Sequence, residues 1–259
     1  MTFRRIAALV PAIMTLTLAL TAAQSDQRAT RRWARYEYEM QDPIPDPPDA
    51  WVEAEFAVGR LRFHSQMGQR RWGVDANKAD RIFSQILRRL TRLHVRSVEQ
   101  IVEIDSDEIY NWPWLFAVGI GDWSLSDSEV LRLRSYFERG GFLMVDDFHG
   151  PREWRDFANG IQRILPNSTI VELKDDDQIF HTVYDLNERV QVSGLNIVYG
   201  QPYERGGIIP HWRGVVDEQG RVQVAIDFNM DVGDSWEWAD YPTYPEKLSA
   251  LGMRMGINY

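Results

Sequence analysis

The chain has 259 residues, 12% of them aromatic, no cysteine, and a formal net charge of −9 at neutral pH. That length supports one sizeable core rather than several domains. The absence of cysteine excludes disulfides, thiolate metal ligands, a lipid-modified N-terminal cysteine and a thiol nucleophile, and the acidic balance repels phosphate backbones, so no nucleic acid partner is expected.

The chain opens with Arg4 and Arg5, an apolar run from Ile6 to Leu20, and the small residues Thr21-Ala22-Ala23. This is the pattern of a secretory signal peptide over residues 1–23. Pro11 interrupts the run, which is short against the roughly 20 residues a membrane span needs. The expectation is export to the periplasm or the extracellular space, with no stable membrane insertion after cleavage. Cleavage removes two arginines and no acid, which takes the charge from −9 to −11. Residues 24–50 read as a polar, proline-rich linker: four prolines in "DPIPDPPDAW", Asp42 to Trp51, suit a stiff extended spacer. A single folded domain is expected over 51–259.

Within it, "EFAVGRLRF", Glu55 to Phe63, reads as a strand. A helix is expected from about Asn77 to Leu93, with Ile82, Phe83, Ile86, Leu87, Leu90 and Leu93 inward and Arg81, Arg88, Arg89 and Arg92 mostly on a solvated face. Glu99 to Ile104 is a short strand, and Trp114 to Gly121 a continuous apolar strand of the kind buried on both faces. Ser126 and Glu129 form a capping box for a helix that carries Val130, Leu131, Leu133 and Phe137 inward and ends at Gly140. Phe142 to Val145 is the next strand, and a helix opening near Pro151 runs to about Leu165. "RGVVDEQGRVQVAIDF" reads as a C-terminal β-hairpin turning at Asp217 to Gly220, and a last helix runs from about Glu246 to Met255. The order predicts an α/β fold, a three-layer sandwich around a mostly parallel, flavodoxin-like sheet with the hairpin added.

In such sheets ligands bind beyond the carboxyl ends of the strands. "GGFLMVDDFHG" places Asp146, Asp147 and His149 there as candidate catalytic residues, able to hold a divalent cation or to act as acid and base. The plainer alternative is that one aspartate caps the next helix and the other is solvated or pairs with an arginine. Asp122, in "GIGDWS", ends the preceding strand. "DFNMDVGDSWEW" sets Asp227, Asn229 and Asp231 on one face if extended, followed by Asp234 and Glu237. Its spacing is not that of an EF-hand. Crowded like charges destabilise unless a cation or backbone amides relieve them, so Asp147, Asp227, Asp231, Asp234 and Glu237 are candidate metal ligands, the cation's identity open. The alternative is a polar loop pinned by Asx-turns. Asp122, Asn229, Trp123, Trp154, Trp236 and Trp238 are candidate ligand-binding residues. No two histidines have metal-ligand spacing, and no nucleophile elbow, P-loop or dinucleotide fingerprint is present.

"FAVGRLRF", "WPWLFAVGIGDWSLSDSEVLRLRSYFERGGFLMVDDFHGPREW" and "FNMDVGDSWEWAD…YPEKLSALGMRMGINY" resemble the bacterial domain-of-unknown-function family 4159 over most of Trp51 to Tyr259. The resemblance implies a fold related to class I glutamine amidotransferase-like domains. The cysteine chemistry of those relatives is excluded here. The trehalose-utilisation-like branch of that fold offers a looser analogy and points toward sugar-related ligands. Longer family members are linked with MoxR-type ATPases and von Willebrand A-domain proteins. Family members carry a His-Pro pair before "IFH", where this chain has Asp177 and Gln178. Two functional expectations stand together. One is a non-catalytic envelope module that binds a glycan or an envelope protein; the other is a metal-assisted hydrolase with a carboxylate/histidine site. A scaffold whose acidic loops are purely structural is the plainest alternative.

Overall fold

A computed structural model describes residues 36–66 and 71–259, so the expected signal segment and residues 24–35 of the linker lie outside the described residues. The larger compact unit runs from Met40 to Tyr259. Seven strands form one sheet: β1 (Gly59–Arg62), β2 (Gln100–Glu103), β3 (Trp114–Val118), β4 (Phe142–Asp146), β5 (Ile170–Glu172), β6 (His211–Val216) and β7 (Val222–Phe228). Their order is β2-β1-β3-β4-β7-β6-β5. The pairs from β2 through to β7 are parallel, and β7-β6 and β6-β5 are antiparallel. The apolar runs of β3 and β4 take the centre, as strands without a polar face must. β6 and β7 pair antiparallel about the turn at Asp217–Gly220, and β7 lies inside the sheet between β4 and β6.

From Met40 onward the described residues form five α-helices: α1 (Lys78–Leu90), α2 (Asp127–Glu138), α3 (Gly150–Ile164), α4 (Val232–Glu237) and α5 (Glu246–Asn258). α1, α4 and α5 pack together, and α2 packs on α3. Strand alternation sends Phe116, Val118 and Met144 into one core with Phe83 of α1, Trp236 of α4 and Met255 of α5. α2 starts at the expected capping box: the Glu129 amide donates to Ser126 Oγ, and the Ser126 amide donates to Glu129 Oε2. Among the described residues no helix is long and apolar enough to cross a membrane.

Four local expectations change. α1 stops at Leu90, leaving Leu90 and Leu93 about half exposed, and Leu131 of α2 is 59% exposed rather than inward. α4 stands where an extended acidic segment or a polar loop is expected; its six residues are too few to carry a periodicity. Arg81 is 3% exposed, not on a solvated face. Its Nε donates to Glu99 Oε2 at 2.9 Å, its Nη2 reaches Asp46 at 2.6 Å, and its Nη1 donates to the Ile44 and Pro45 carbonyls. With Ile44 N–H on Asn77 Oδ1 and Arg88 on Asp49, these bonds clamp the proline-rich stretch to the domain. It is a strap of the folded unit here, not a free spacer: Arg81 satisfies the Ile44 and Pro45 carbonyls beside the prolines, and Arg88 holds the Asp49 carboxylate.

Arg81→Met therefore strands the fully buried Glu99 and is expected to cost about 3–5 kcal/mol in urea unfolding and to open residues 42–50 to protease. Adding Glu99→Leu is expected to recover most of the stability but not the protease resistance. Unchanged stability in the single variant would show that the clamp contributes nothing.

Candidate functional site

β4 ends in Asp146, whose alternation with Met144 points it toward the α4 face. It is fully buried, and its Oδ2 accepts the Gly233 amide of the first turn of α4 at 2.7 Å. Its Oδ1 has no partner. Burial above all pushes its pKa up to about 7, against the pull of the α4 amides. Asp147 turns the other way through a positive φ of 47°. Its Oδ1 lies 3.1 Å from His149 Nε2 and 3.9 Å from Arg205 Nη1, and its Oδ2 lies 3.6 Å from Arg71 Nη2. Burial would raise its pKa, but the His149 hydrogen bond and charge, with the two arginines, outweigh it and hold the carboxylate below its usual range. His149 is 4% exposed, and its Nδ1 is buried without a partner. Gly150 follows at φ +74°, where a Cβ would land 2.2 Å from the Arg205 carbonyl oxygen, so this contact admits only glycine.

β7 supplies the second acidic segment. Asp227 stays within the sheet, fully buried, and its Oδ1 accepts from the Tyr259 hydroxyl at 3.2 Å. Burial and the neighbouring Asp146 raise its pKa well above the ordinary value. The expected shared face of Asp227, Asn229 and Asp231 breaks at Asn229, which takes φ +62°. Asn229 Oδ1 accepts the Gly150 amide and its Nδ2 donates to the Ile209 carbonyl, so it ties the end of β7 to the start of α3. Asp231 caps α4 by accepting the Asp234 amide. Asp234 accepts the Leu195 amide at 2.6 Å and Trp238 Nε1 at 3.0 Å. Glu237 is 3.4 Å from Lys78 Nζ, which also sits 3.8 Å over the Trp238 ring. Burial first, then the charge of Asp234, lifts Glu237 to about 7 despite Lys78.

The third contribution follows β1. Asp75 takes φ +60° and is 6% exposed, and its Oδ2 has no partner. Burial, then the charges of Asp234, Asp147 and Glu237, raise its pKa well above the ordinary value. Asp75, Asp147, Asp231, Asp234 and Glu237 meet around one cavity of about 240 Å³, with Glu204, Arg71, Arg205, Asn196 and Trp238 also on its wall. Two oxygen-rich triads lie on this side of the sheet, Asp75-Asp234-Glu237 and Asp147-His149-Glu204, each with one ligand atom per residue inside 4.8 Å. Among the described residues the non-glycine positions of positive φ are Asp75, Asp147, Arg205 and Asn229. Three line the cavity and the fourth, Asn229, ties the end of β7 to Gly150, a concentration of backbone strain typical of functional sites.

The two acidic segments thus converge, but not through all the expected residues. Asp146 and Asp227 lie beneath α4 and within the sheet, away from the cavity wall. Asp122 lies beyond the end of β3, in the 3-10 turn Ile120–Asp122, buried with Oδ1 unpartnered; burial raises its pKa, Arg71 eases it, and it does not line the cavity. Of the four tryptophans, Trp238 lines it. Trp236 is core, stacked on Phe83 at 4.1 Å with Nε1 on the Gly252 carbonyl. Trp123 stacks on Phe157, and Trp154 packs between Phe228 and the Arg213 guanidinium. Asp75, Arg71, Glu204 and Arg205 were not anticipated. The strand-end rule applied to β1 points to the loop carrying Arg71 and Asp75; nothing in the local pattern marks Glu204 or Arg205.

A family model described as Domain of unknown function (DUF4159) matches residues 58–259. The chain belongs to that family. Every carboxylate of the cavity falls inside the DUF4159 match. No curated protein matches this DUF4159 chain.

Asp146 titrates near 7 when folded, against 3.8 ordinarily. Between those values the folded state holds the extra proton, so stability falls as pH rises, by up to about 1.4 kcal/mol per pH unit. Glu237 acts in the same sense, and the depressed Asp147 opposes it only below about pH 4. In chelator-containing buffer the melting temperature of the DUF4159 domain is expected to rise from about pH 7.5 to about pH 5, with a flatter profile in Asp146→Asn. A melting temperature that drops over that interval contradicts the assignment.

Proposed function

We propose that the protein is an exported binding module that holds a small polar ligand, hydroxyl-rich or amine-bearing, in the acid-lined cavity. A glycan or an amine-bearing component of the cell envelope has that chemistry. The observation that carries the reading is the lining: among the described residues, six carboxylates against two arginines around about 240 Å³, five of the six in the segments that follow β1, β4 and β7. Such a wall offers acceptors in excess, which suits donors and cations and repels anions. The parallel order β2-β1-β3-β4 matches the doubly wound, flavodoxin-like arrangement, which favours kinship with class I glutamine amidotransferase-like folds. The cysteine on which amidotransferases depend is absent from the chain. The apolar stretch after Arg4 and Arg5 supports export.

Binding is favoured over turnover by the state of the catalytic candidates. A general acid or base must reach the proton it moves. His149 spends Nε2 on Asp147, and its Nδ1 is closed off from solvent. Among the described residues no serine, threonine or lysine lines the cavity. The hydrolytic reading has one observation in its favour: Asp147 is on the cavity wall and held ionised by His149 and two arginines, as a general base requires.

Calorimetric titration of the exported chain with soluble glycan fragments and with polyamines is expected to give saturable binding. Glu204→Gln, at a partly exposed carboxylate of the wall, is expected to weaken it about tenfold, or about 1.4 kcal/mol. Absence of binding, together with turnover of chromogenic esters, phosphoesters or glycosides that stops in Asp147→Asn, would replace the module with an enzyme.

A further inference from the structure

We infer that Asp75, Asp234 and Glu237 form a binding site for a hard divalent cation, with Asp231 adjoining it. The inference rests on the cavity proposed above as the ligand site and names what occupies its inner end. One oxygen from each of the three carboxylates lies within 4.8 Å of the others, the separation a single ion bridges. The donors are all carboxylate oxygens, without histidine or cysteine, which selects calcium, magnesium or manganese over zinc or copper.

A second observation separates this cluster from an ordinary acidic patch. Asp75 is 94% buried by its 6% exposure, it lines the cavity, and its Oδ2 has no hydrogen-bond partner. A buried carboxylate oxygen without a donor is the kind of group a native fold pairs or gives to an ion. The backbone at Asp75 is held at φ +60° to keep it there. Asp231 and Asp234 have backbone and indole donors, each oxygen of which keeps a free lone pair. Among the described residues no basic side chain forms an ion pair with Asp75, Asp231 or Asp234. Lys78 reaches Glu237 alone, from over the Trp238 ring. Gly194 and Gly233 bring backbone against this group: a Cβ on Gly194 would come 2.5 Å from Asp231 Oδ2, and one on Gly233 would come 3.0 Å from Asp75 Oδ2.

The residue set differs from the one read along the chain. Asp227 and Asp147 drop out, the first because it stays inside the sheet, the second because His149 and two arginines already satisfy it. Asp75 enters from the β1 loop.

The test is a melt and a calorimetric titration of the exported chain, stripped with EDTA, against calcium, magnesium and manganese in turn. The expected result is one ion per chain and a rise of several degrees at a hundredfold excess over the dissociation constant. Asp75→Asn is the decisive variant, because asparagine tolerates positive φ and the fold is kept. It is expected to melt at or above the wild type in EDTA, since a like charge is removed, and to lose the cation-dependent rise. Glu237→Gln is expected to weaken the ion at least tenfold. No heat and no shift with any of the three ions in the wild type overturns the site, as does a shift that persists undiminished in both variants. Repeating the glycan and polyamine titrations in EDTA separates the two readings. Ligand binding without any cation effect keeps the module and removes this site. A cation effect with no organic ligand bound keeps this site and removes the module.

Discussion

The structure is organised around one electrostatic constraint: six carboxylates crowd one end of a parallel sheet, most of them out of water. Two unit charges about 5 Å apart repel by roughly 3 kcal/mol even at an effective dielectric constant of about 20. The surrounding elements are arranged to bear this. The first turn of α4 turns its amides on Asp146 and caps itself on Asp231. The Leu195 amide and the Trp238 indole serve Asp234, and Arg71 and Arg205 lean on Asp147. What remains unsatisfied there includes Asp75 Oδ2, Asp146 Oδ1, His149 Nδ1 and Arg71 Nε.

The fold explains why the crowding occurs there. Parallel strands deliver every carboxyl end to the same edge, and the loops after β1, β4 and β7 meet over it. Asp75, Asp147 and Asn229 each take a left-handed backbone at these loops, residue types that bear it at low cost. Gly150 and Gly194 allow neighbouring backbone to close on the site where a Cβ would collide. The site is therefore held by strained but well-braced backbone, a geometry that supports fixed recognition better than a moving lid.

The opposite balance appears at the other basic residues. Arg60 is fully buried in β1 with a bidentate contact to Asp80, and Arg81 locks Glu99 and the proline-rich strap. These pairs neutralise charge inside the scaffold, and neither arginine lines the cavity. Cations are thus spent on holding α1 and the strap to the sheet, while the site keeps an excess of anions.

The sequence by itself determined most of the element types, β5 and α4 excepted, the parallel core, and the presence of two acidic segments. Those signals are local: continuous apolar runs for β3 and β4, a capping box at Ser126, a turn at Asp217 to Gly220, and aspartates placed straight after strands. It also carried the family assignment, in blocks such as "GGFLMVDDFHG". Tertiary structure alone decided which acids face one another. Asp146 and Asp147 are neighbours in the chain, yet alternation and a positive φ turn one under α4 and the other to the cavity. Asp75, Glu204 and Arg205 come from loops whose closure depends on contacts far apart in sequence, which no periodicity encodes. Trp236 and Trp238 differ in role for the same reason: α4 turns the first toward Phe83 and the second to the cavity wall. Burial, and with it the charge state of each carboxylate, is a property of the packed whole rather than of any segment.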